Sequence, residues 1–382
     1  MIESPAGPTL DKGLANTVAA ESQMSYIDGE NGVLEYVGID IDSLARNSTF
    51  EETTYLLWHR RLPTKSELAE FTASIQAQYD LPDHVWTMLA KLPTTATPMH
   101  ALRTLASALA LDDEHADDDS PAANERKALR LLATIPALIA NFDRHRKGKD
   151  FVHPDKSQTI AESFLTMLNG EKPTEAMARA FDICLILHAE HGFNASTFAS
   201  MVTISTLSDM YSAITTAIGT LKGPLHGGAN EGVMRMLNEI GDISKVDAWV
   251  EQKMANKEKI MGFGHRVYKA VDPRATYLKT FAKQIAEDTG NMDLYEMSHR
   301  IEEIMHEKVA SKGIYPNVDF YSATMYHCLG LDLDLFTPIF AMARTSGWAA
   351  HCIEYLEDNK LMRPRCDYTG PHDVSYVPIE ER

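Results

Sequence analysis

Helix starts and stops recur along this chain with little strand signal between them, and that succession limits the fold more than any other feature. Ser48-Thr49-Phe50-Glu51 and Thr64-Lys65-Ser66-Glu67 have capping-box spacing, in which a hydroxyl and a carboxylate satisfy free amides at a helix start. In DMYSAITTAIGTLKGP (209–224), Met210, Ile214, Ala217, Ile218 and Leu221 recur at helical spacing before the stop Gly223-Pro224, which leaves His226 just past a helix end. Val233, Met236, Leu237 and Ile240 predict the apolar face of a helix closed by Gly241, with Ser244 to Asp247 capping the next. Asp272-Pro273 and Thr337-Pro338 each read as a cap followed by a first-turn proline, so Arg274 opens a helix carrying Leu278, Phe281, Ala282 and Ile285. Strand signals are confined to SYIDGENGVLEYVG (25–38), where Asp28-Gly29 and Asn31-Gly32 lie between β-prone runs and predict one short N-terminal hairpin. The fold class is all-α.

At 382 residues the chain exceeds what one core usually holds, which favours two domains. Acidic residues outnumber basic ones 54 to 36, for a net charge of -18, and that opposes general affinity for nucleic acid or anionic membrane. An anionic ligand would need a local basic site. The four cysteines, Cys184, Cys328, Cys352 and Cys366, form no CxxC pair, which suggests neither a zinc site nor a disulfide framework and fits a reducing cytoplasm. The N-terminus lacks a basic region leading into an apolar one, and apolar segments such as ALRLLATIPALIANF (128–142) are too short or charge-interrupted to span a bilayer. The acidic run LDDEHADDDSPAANE (111–125) reads as a solvated loop between helices, and no fixed-period repeat points to a solenoid.

Four segments combine chemistry-bearing residues with helix ends. In GPLHGGAN (223–230), His226 stands between a glycine-proline break and a glycine pair that lets a ligand approach, so it is either a turn residue or a hydrogen-bond donor to a developing enolate. In GFGHRVYKAVDPR (262–274), Gly262 and Gly264 free the backbone before His265. Between Lys253 and Arg274 six basic residues face two acidic ones, which is either an exposed basic helix end or a polyanion site. GFG is too short for a dinucleotide fingerprint, and no strand precedes it. In PNVDFYS (316–322), Asn317 caps a helix whose first turn holds Asp319, charged, dipole-stabilised and only weakly basic. In FAMARTSGWAAH (340–351), Arg344 lies among apolar neighbours and needs an anion, either an acidic side chain or a bound carboxylate. HAEHGFNAST (188–197) adds His191 after an apolar helix, without the HExxH zinc pattern.

These segments together resemble citrate synthase, and the resemblance runs from YIDGENGVLEYVG (26–38) and FEETTYLLWHRRLP (50–63) to RPRCDYTG (363–370). It implies that His226, His265 and Asp319 are catalytic, and that His191, Arg274, Arg344 and Arg363 hold the carboxylates and carbonyl of oxaloacetate or citrate. Lys269, with Gly262 and Gly264 of the turn, would face coenzyme A. The family forms homodimers in which the RPR arginine reaches the partner's site, so Arg363 would act in trans. Carried onto this chain, residues 1–226 and 331–382 form a large helical domain and residues 227–330 a smaller inserted one, hinged at His226. The implied activity is citrate (Si)-synthase, an acyltransferase of the tricarboxylic acid cycle, with a coenzyme A thioester as co-substrate, no metal and no tightly bound cofactor. The alternative is 2-methylcitrate synthase acting on propionyl-CoA, or both activities, because one methylene changes apolar binding by only about 1–3 kcal/mol. Gly192 stands where many relatives carry glutamate, and the chain resembles the shorter form without the domain of NADH-regulated enzymes. A metal-dependent hydrolase on His188, His191 and His226, or a helical scaffold, are the readings from other classes.

Overall fold

The computed structural model describes residues 10–14, 16–265 and 267–382. β1 (Ser25–Asp28) and β2 (Val33–Tyr36) form the expected hairpin, and β3 (Ile39–Asp40) pairs with β2 to make a three-stranded antiparallel sheet. The sequence reading missed the third strand, which is too short to show an alternating pattern.

The chain then continues through α1 (Ile41–Asn47), α2 (Phe50–His59), α3 (Lys65–Ala77), α4 (Asp83–Lys91), α5 (Pro98–Ala108), α6 (Pro121–Arg146), α7 (Ile160–Asn169) and α8 (Glu175–His188). After these come α9 (Ala195–Ile204), α10 (Met210–Leu221), α11 (Ala229–Ile240), α12 (Val246–Ala255), α13 (Pro273–Thr289), α14 (Met292–Val309), α15 (Val318–Cys328) and α16 (Phe336–Leu356).

Local chemistry sets most of these boundaries. Thr64 and Glu67 close the expected capping box of α3, the Thr64 hydroxyl accepting from Glu67 N at 3.3 Å and the Glu67 carboxylate from Thr64 N at 2.7 Å. At α2 the cap is Thr49, not Ser48, and its hydroxyl accepts from Glu52 N at 3.2 Å. Glu51 turns inward and accepts from the Ile160 amide at 2.8 Å, so a carboxylate from α2 caps α7. The expected cap at Ser244 is absent: Asp242 takes the Ser244 amide at 2.8 Å and opens a short 3-10 turn that runs into α12. Likewise α16 starts one residue before Thr337, whose hydroxyl donates instead to Gly227 O at 3.1 Å.

From Phe336 to Cys352, α16 buries nearly every residue, as expected of a helix apolar on all sides. It packs on α2, α6, α8, α9 and α10, while α13 lies on α15 and α14, and α12 on α14. Between these groups the β1–β2 turn docks on the loop after His265. Lys269 N donates to Gly29 O at 2.8 Å, and a Cβ at Gly29 would collide with the Val267 carbonyl, so close approach rather than the turn alone demands that glycine. Among the described residues, no helix is long and apolar enough to cross a membrane.

Candidate active site

Two short backbone segments bring His265 and Asp319 into one frame. Gly264 N donates to Tyr315 O and Asn317 N to Gly262 O, each at 2.9 Å, with Phe263 bridging Pro316 between them. Gly262 and Gly264 adopt φ of 80° and 83°, and a Cβ on Gly262 would lie 2.7 Å from the Phe320 ring. Asn317 serves both sides: its Nδ2 donates to Gly264 O at 3.0 Å, and its Oδ1 accepts from Asp319 N at 3.0 Å to cap α15.

The tautomer of His265 follows from its neighbours. Its Nδ1 accepts from the amides of Val267 at 3.0 Å and Tyr268 at 3.3 Å, and since an amide only donates, the neutral ring carries its proton on Nε2. Burial, reinforced by the Arg274 charge, pushes this histidine down to about 4. Burial also pushes Asp319 up to about 6, against the pull of Arg274. The weak basicity expected from the helix dipole is therefore overturned: loss of solvent outweighs the helix start.

His226 lies beyond α10 and faces the start of α9. The Ser196 amide donates to its Nε2 at 3.2 Å and the Ser196 hydroxyl sits 2.7 Å from the same atom, so the neutral imidazole carries its proton on Nδ1. Asn194 caps α9 through the amides of Ser196 and Thr197, and Trp348 Nε1 donates to the Ser196 hydroxyl at 3.1 Å. One serine thus ties the histidine to α9 and α16.

On α16, four residues before that tryptophan, Arg344 is fully buried. Its Nε donates to His188 O at 2.7 Å and its guanidinium lies 4.9 Å from the centre of the Phe340 ring, but no carboxylate among the described residues is within ion-pair distance. Burial lowers it to about 10, opposed chiefly by Glu190. Glu190 accepts through Oε1 from His351 Nε2 at 2.9 Å, from the Ser25 hydroxyl at 3.1 Å and from the Gly192 amide, while its buried Oε2 has no hydrogen-bond partner. Glu190 therefore offsets the Arg344 charge through space, without an ion pair. Arg274, also buried, makes a two-point fork with Asp272 at 2.9 and 2.8 Å. His191 completes this group: its ring centre is 5.3 Å from that of His265, and burial with the charges of Arg274 and Arg344 holds it well below the usual histidine range.

A cavity of about 540 Å³ opens beside His265, lined by Gly262, Gly264, Lys257, Lys259, Ile314 and Asn317 among others. Lys269 does not line it; its ammonium group pairs with Glu30 of the hairpin turn. Arg363 is exposed on the C-terminal segment and this chain alone does not bring it to the group around Arg344. His188 is a core histidine, donating from Nδ1 to Cys184 O at 2.8 Å. No group of three or more His, Cys, Asp or Glu side chains among the described residues is placed to hold a metal. Sequence reasoning missed Ser196, Asp272 as the fork partner of Arg274, and the second role of Asn317. Asn194 in HGFNAST was the available signal for the first, since a cap there fixes where Ser196 points.

The chain matches the family described as citrate synthase, C-terminal domain, over residues 13–365. It is 52% identical to citrate synthase 2 of Bacillus subtilis, over 98% of this chain and 100% of that one. Identity to a 2-methylcitrate synthase of Mycobacterium tuberculosis is 41%, over 97% and 93%. The structure superposes with a TM-score of 0.91 and 36% identity on citrate synthase from Thermoplasma acidophilum in ternary complex with carboxymethyl coenzyme A and oxaloacetate, over 98% of this chain and 100% of that one. With the family matched over most of its length and relatives this similar over nearly the whole of both chains, the chain belongs to the citrate synthase family.

Proposed function

We propose that the chain condenses acetyl-CoA with oxaloacetate and water to give citrate and free coenzyme A. The observation that supports this reading is the pairing of 262–264 with 315–317, which ties the turn before His265, an Nε2–H tautomer, to the start of the helix whose first turn holds Asp319, a carboxyl raised to about 6. Asp319 takes a proton from the acetyl methyl group while His226 donates from Nδ1 to the thioester oxygen. Each supports the other, because a thioester α-carbon is a weak acid and the enol needs electrostatic help. The enol carbon then attacks the ketone carbon of oxaloacetate, whose oxygen takes a proton from His265 Nε2, and the proton held by Asp319 is given up and the ring reprotonated, so that both groups end as they began. Water cleaves the citryl thioester and coenzyme A leaves with its sulfur protonated.

Oxaloacetate supplies the ion pair that buried Arg344 lacks; Arg274, with its remaining Nη1, and His191 hold the rest of the molecule. Coenzyme A occupies the cavity beside His265, with Lys257 and Lys259 toward its phosphates and Gly262 and Gly264 along its wall; Lys269 joins them on release from Glu30. Residues 227–330 form the smaller domain, hinged where Thr337 holds Gly227, and they close over the substrates. Two protomers pair so that Arg363 of each enters the other's site, covering a C-terminal segment that exposes Leu361, Tyr368, Val374 and Tyr376. Four free cysteines, one of them exposed, suit a cytoplasmic location.

The test is release of coenzyme A thiol from acetyl-CoA with and without oxaloacetate, repeated with propionyl-CoA. We expect oxaloacetate-dependent release with the higher kcat/KM for acetyl-CoA. Preference for propionyl-CoA would make the chain a 2-methylcitrate synthase, and release without oxaloacetate would make it a thioester hydrolase.

A further inference from the structure

Tyr268 stands in the middle of the segment that carries His265 and Arg274, yet the reaction described above gives it nothing to do. It is 2% exposed, and its hydroxyl lies 3.1 Å from Nε2 of His191. Its ring sits edge-on to the His191 ring at 5.5 Å and tilted against the His265 ring at 4.8 Å. Its own amide is one of the two that fix the tautomer of His265. One residue therefore touches both histidines that face the ketone and carboxylates of oxaloacetate.

We propose that Tyr268 is a positioning residue for oxaloacetate, its hydroxyl donating to His191 Nε2 and so leaving the ring proton on Nδ1. The direction of the bond follows from the two groups. A phenol is the better donor and an imidazole nitrogen the better acceptor, so O–H···N is favoured over N–H···O. Burial supports this, raising the phenol above its ordinary range so that it keeps its proton, and holding His191 neutral. With Nε2 occupied, His191 is pinned in one orientation and one tautomer. It presents an N–H to the substrate without adding a third positive charge beside Arg274 and Arg344. The alternative is that Tyr268 is packing alone, with its hydroxyl near the histidine by accident of space.

This inference rests on His191 as an oxaloacetate ligand, so its test has one arm that needs no turnover. In the wild-type dimer labelled with 15N-histidine, the His191 ring should show a protonated Nδ1 and an unprotonated Nε2 shifted by an accepted hydrogen bond. In Tyr268→Phe, which keeps the ring and removes only the hydroxyl, the Nε2 signal should move to its unbonded position or average between tautomers. The KM for oxaloacetate should rise about 3- to 10-fold, what one neutral hydrogen bond is worth, with kcat within about twofold and the KM for acetyl-CoA unchanged. A protonated Nε2 in the wild type overturns the proposal, and that result stands even if the variant fails to fold. Unchanged His191 signals in the variant also overturn it, as does a loss spread equally over kcat and both KM values. If neither protein condenses the substrates but the ring signals behave as stated, the tautomer lock survives and the functional reading falls.

Discussion

Asp319 and His265 both lose solvent, and that moves each in the direction the proposed reaction requires. Loss of solvent raises the carboxyl to about 6 and lowers the imidazole to about 4, so between those values and neutrality the base gains its charge while the donor stays neutral. The kcat/KM for acetyl-CoA should therefore fall about tenfold per pH unit below about 6, as Asp319 takes up its proton, and level off above it. A pH profile checks this; a limb set near the ordinary carboxylate value would place the base elsewhere. His226, His265 and Asp319 were each legible in the sequence as residues at helix ends, because glycine, proline and asparagine mark those ends locally. The basicity of Asp319 was not, because it depends on what packs around the first turn of α15 and no neighbouring residue in the chain announces that.

Among elements, the junction of α2, α7 and α8 stores acidity in the core. Asp182 accepts from the Phe50 amide at 3.0 Å and pairs with Arg179, while Glu51 caps α7 from the same side. Burial first, and then the Glu51 charge, raises Asp182 to about 7. A carboxyl raised in the folded state stabilises it fully below the unfolded value of about 3.9 and loses that contribution as pH rises through the folded value. The difference in Tm between wild type and Asp182→Asn should thus shift in favour of the variant between about pH 4 and about pH 7 and level off above, as read by thermal melts. A constant difference would mean that Asp182 is ionised throughout. This junction also shows why the capping box was read one residue early. Glu51 and Glu52 both stand three residues after a hydroxyl, and only tertiary packing decides that Glu51 serves another helix.

The helical class of the whole molecule and the order of its segments followed from periodicity and caps, whereas its closure did not. Gly29 and Gly32 read as hairpin turn residues, but Gly32 also lies where a Cβ would be 2.8 Å from the Val271 carbonyl, so they admit the loop that carries His265. Contacts between segments over two hundred residues apart leave no trace in local pattern. The same holds for Arg363, whose proposed role needs a second chain. If it acts in trans, mixing inactive Arg363→Ala with inactive Asp319→Asn under subunit exchange rebuilds one intact site in each mixed dimer, and activity should recover to about a quarter of wild type. No recovery in mixed dimers, verified by mass, would place that arginine in its own protomer's site.

The most direct test of the account is the kcat of purified Asp319→Asn with acetyl-CoA and oxaloacetate, measured beside its Tm. The account predicts a loss of about 10²- to 10⁴-fold, the usual contribution of a positioned base, with Tm at neutral pH equal to or above wild type because a raised acid is replaced by a neutral isostere. Near-full condensation by a folded Asp319→Asn would contradict it.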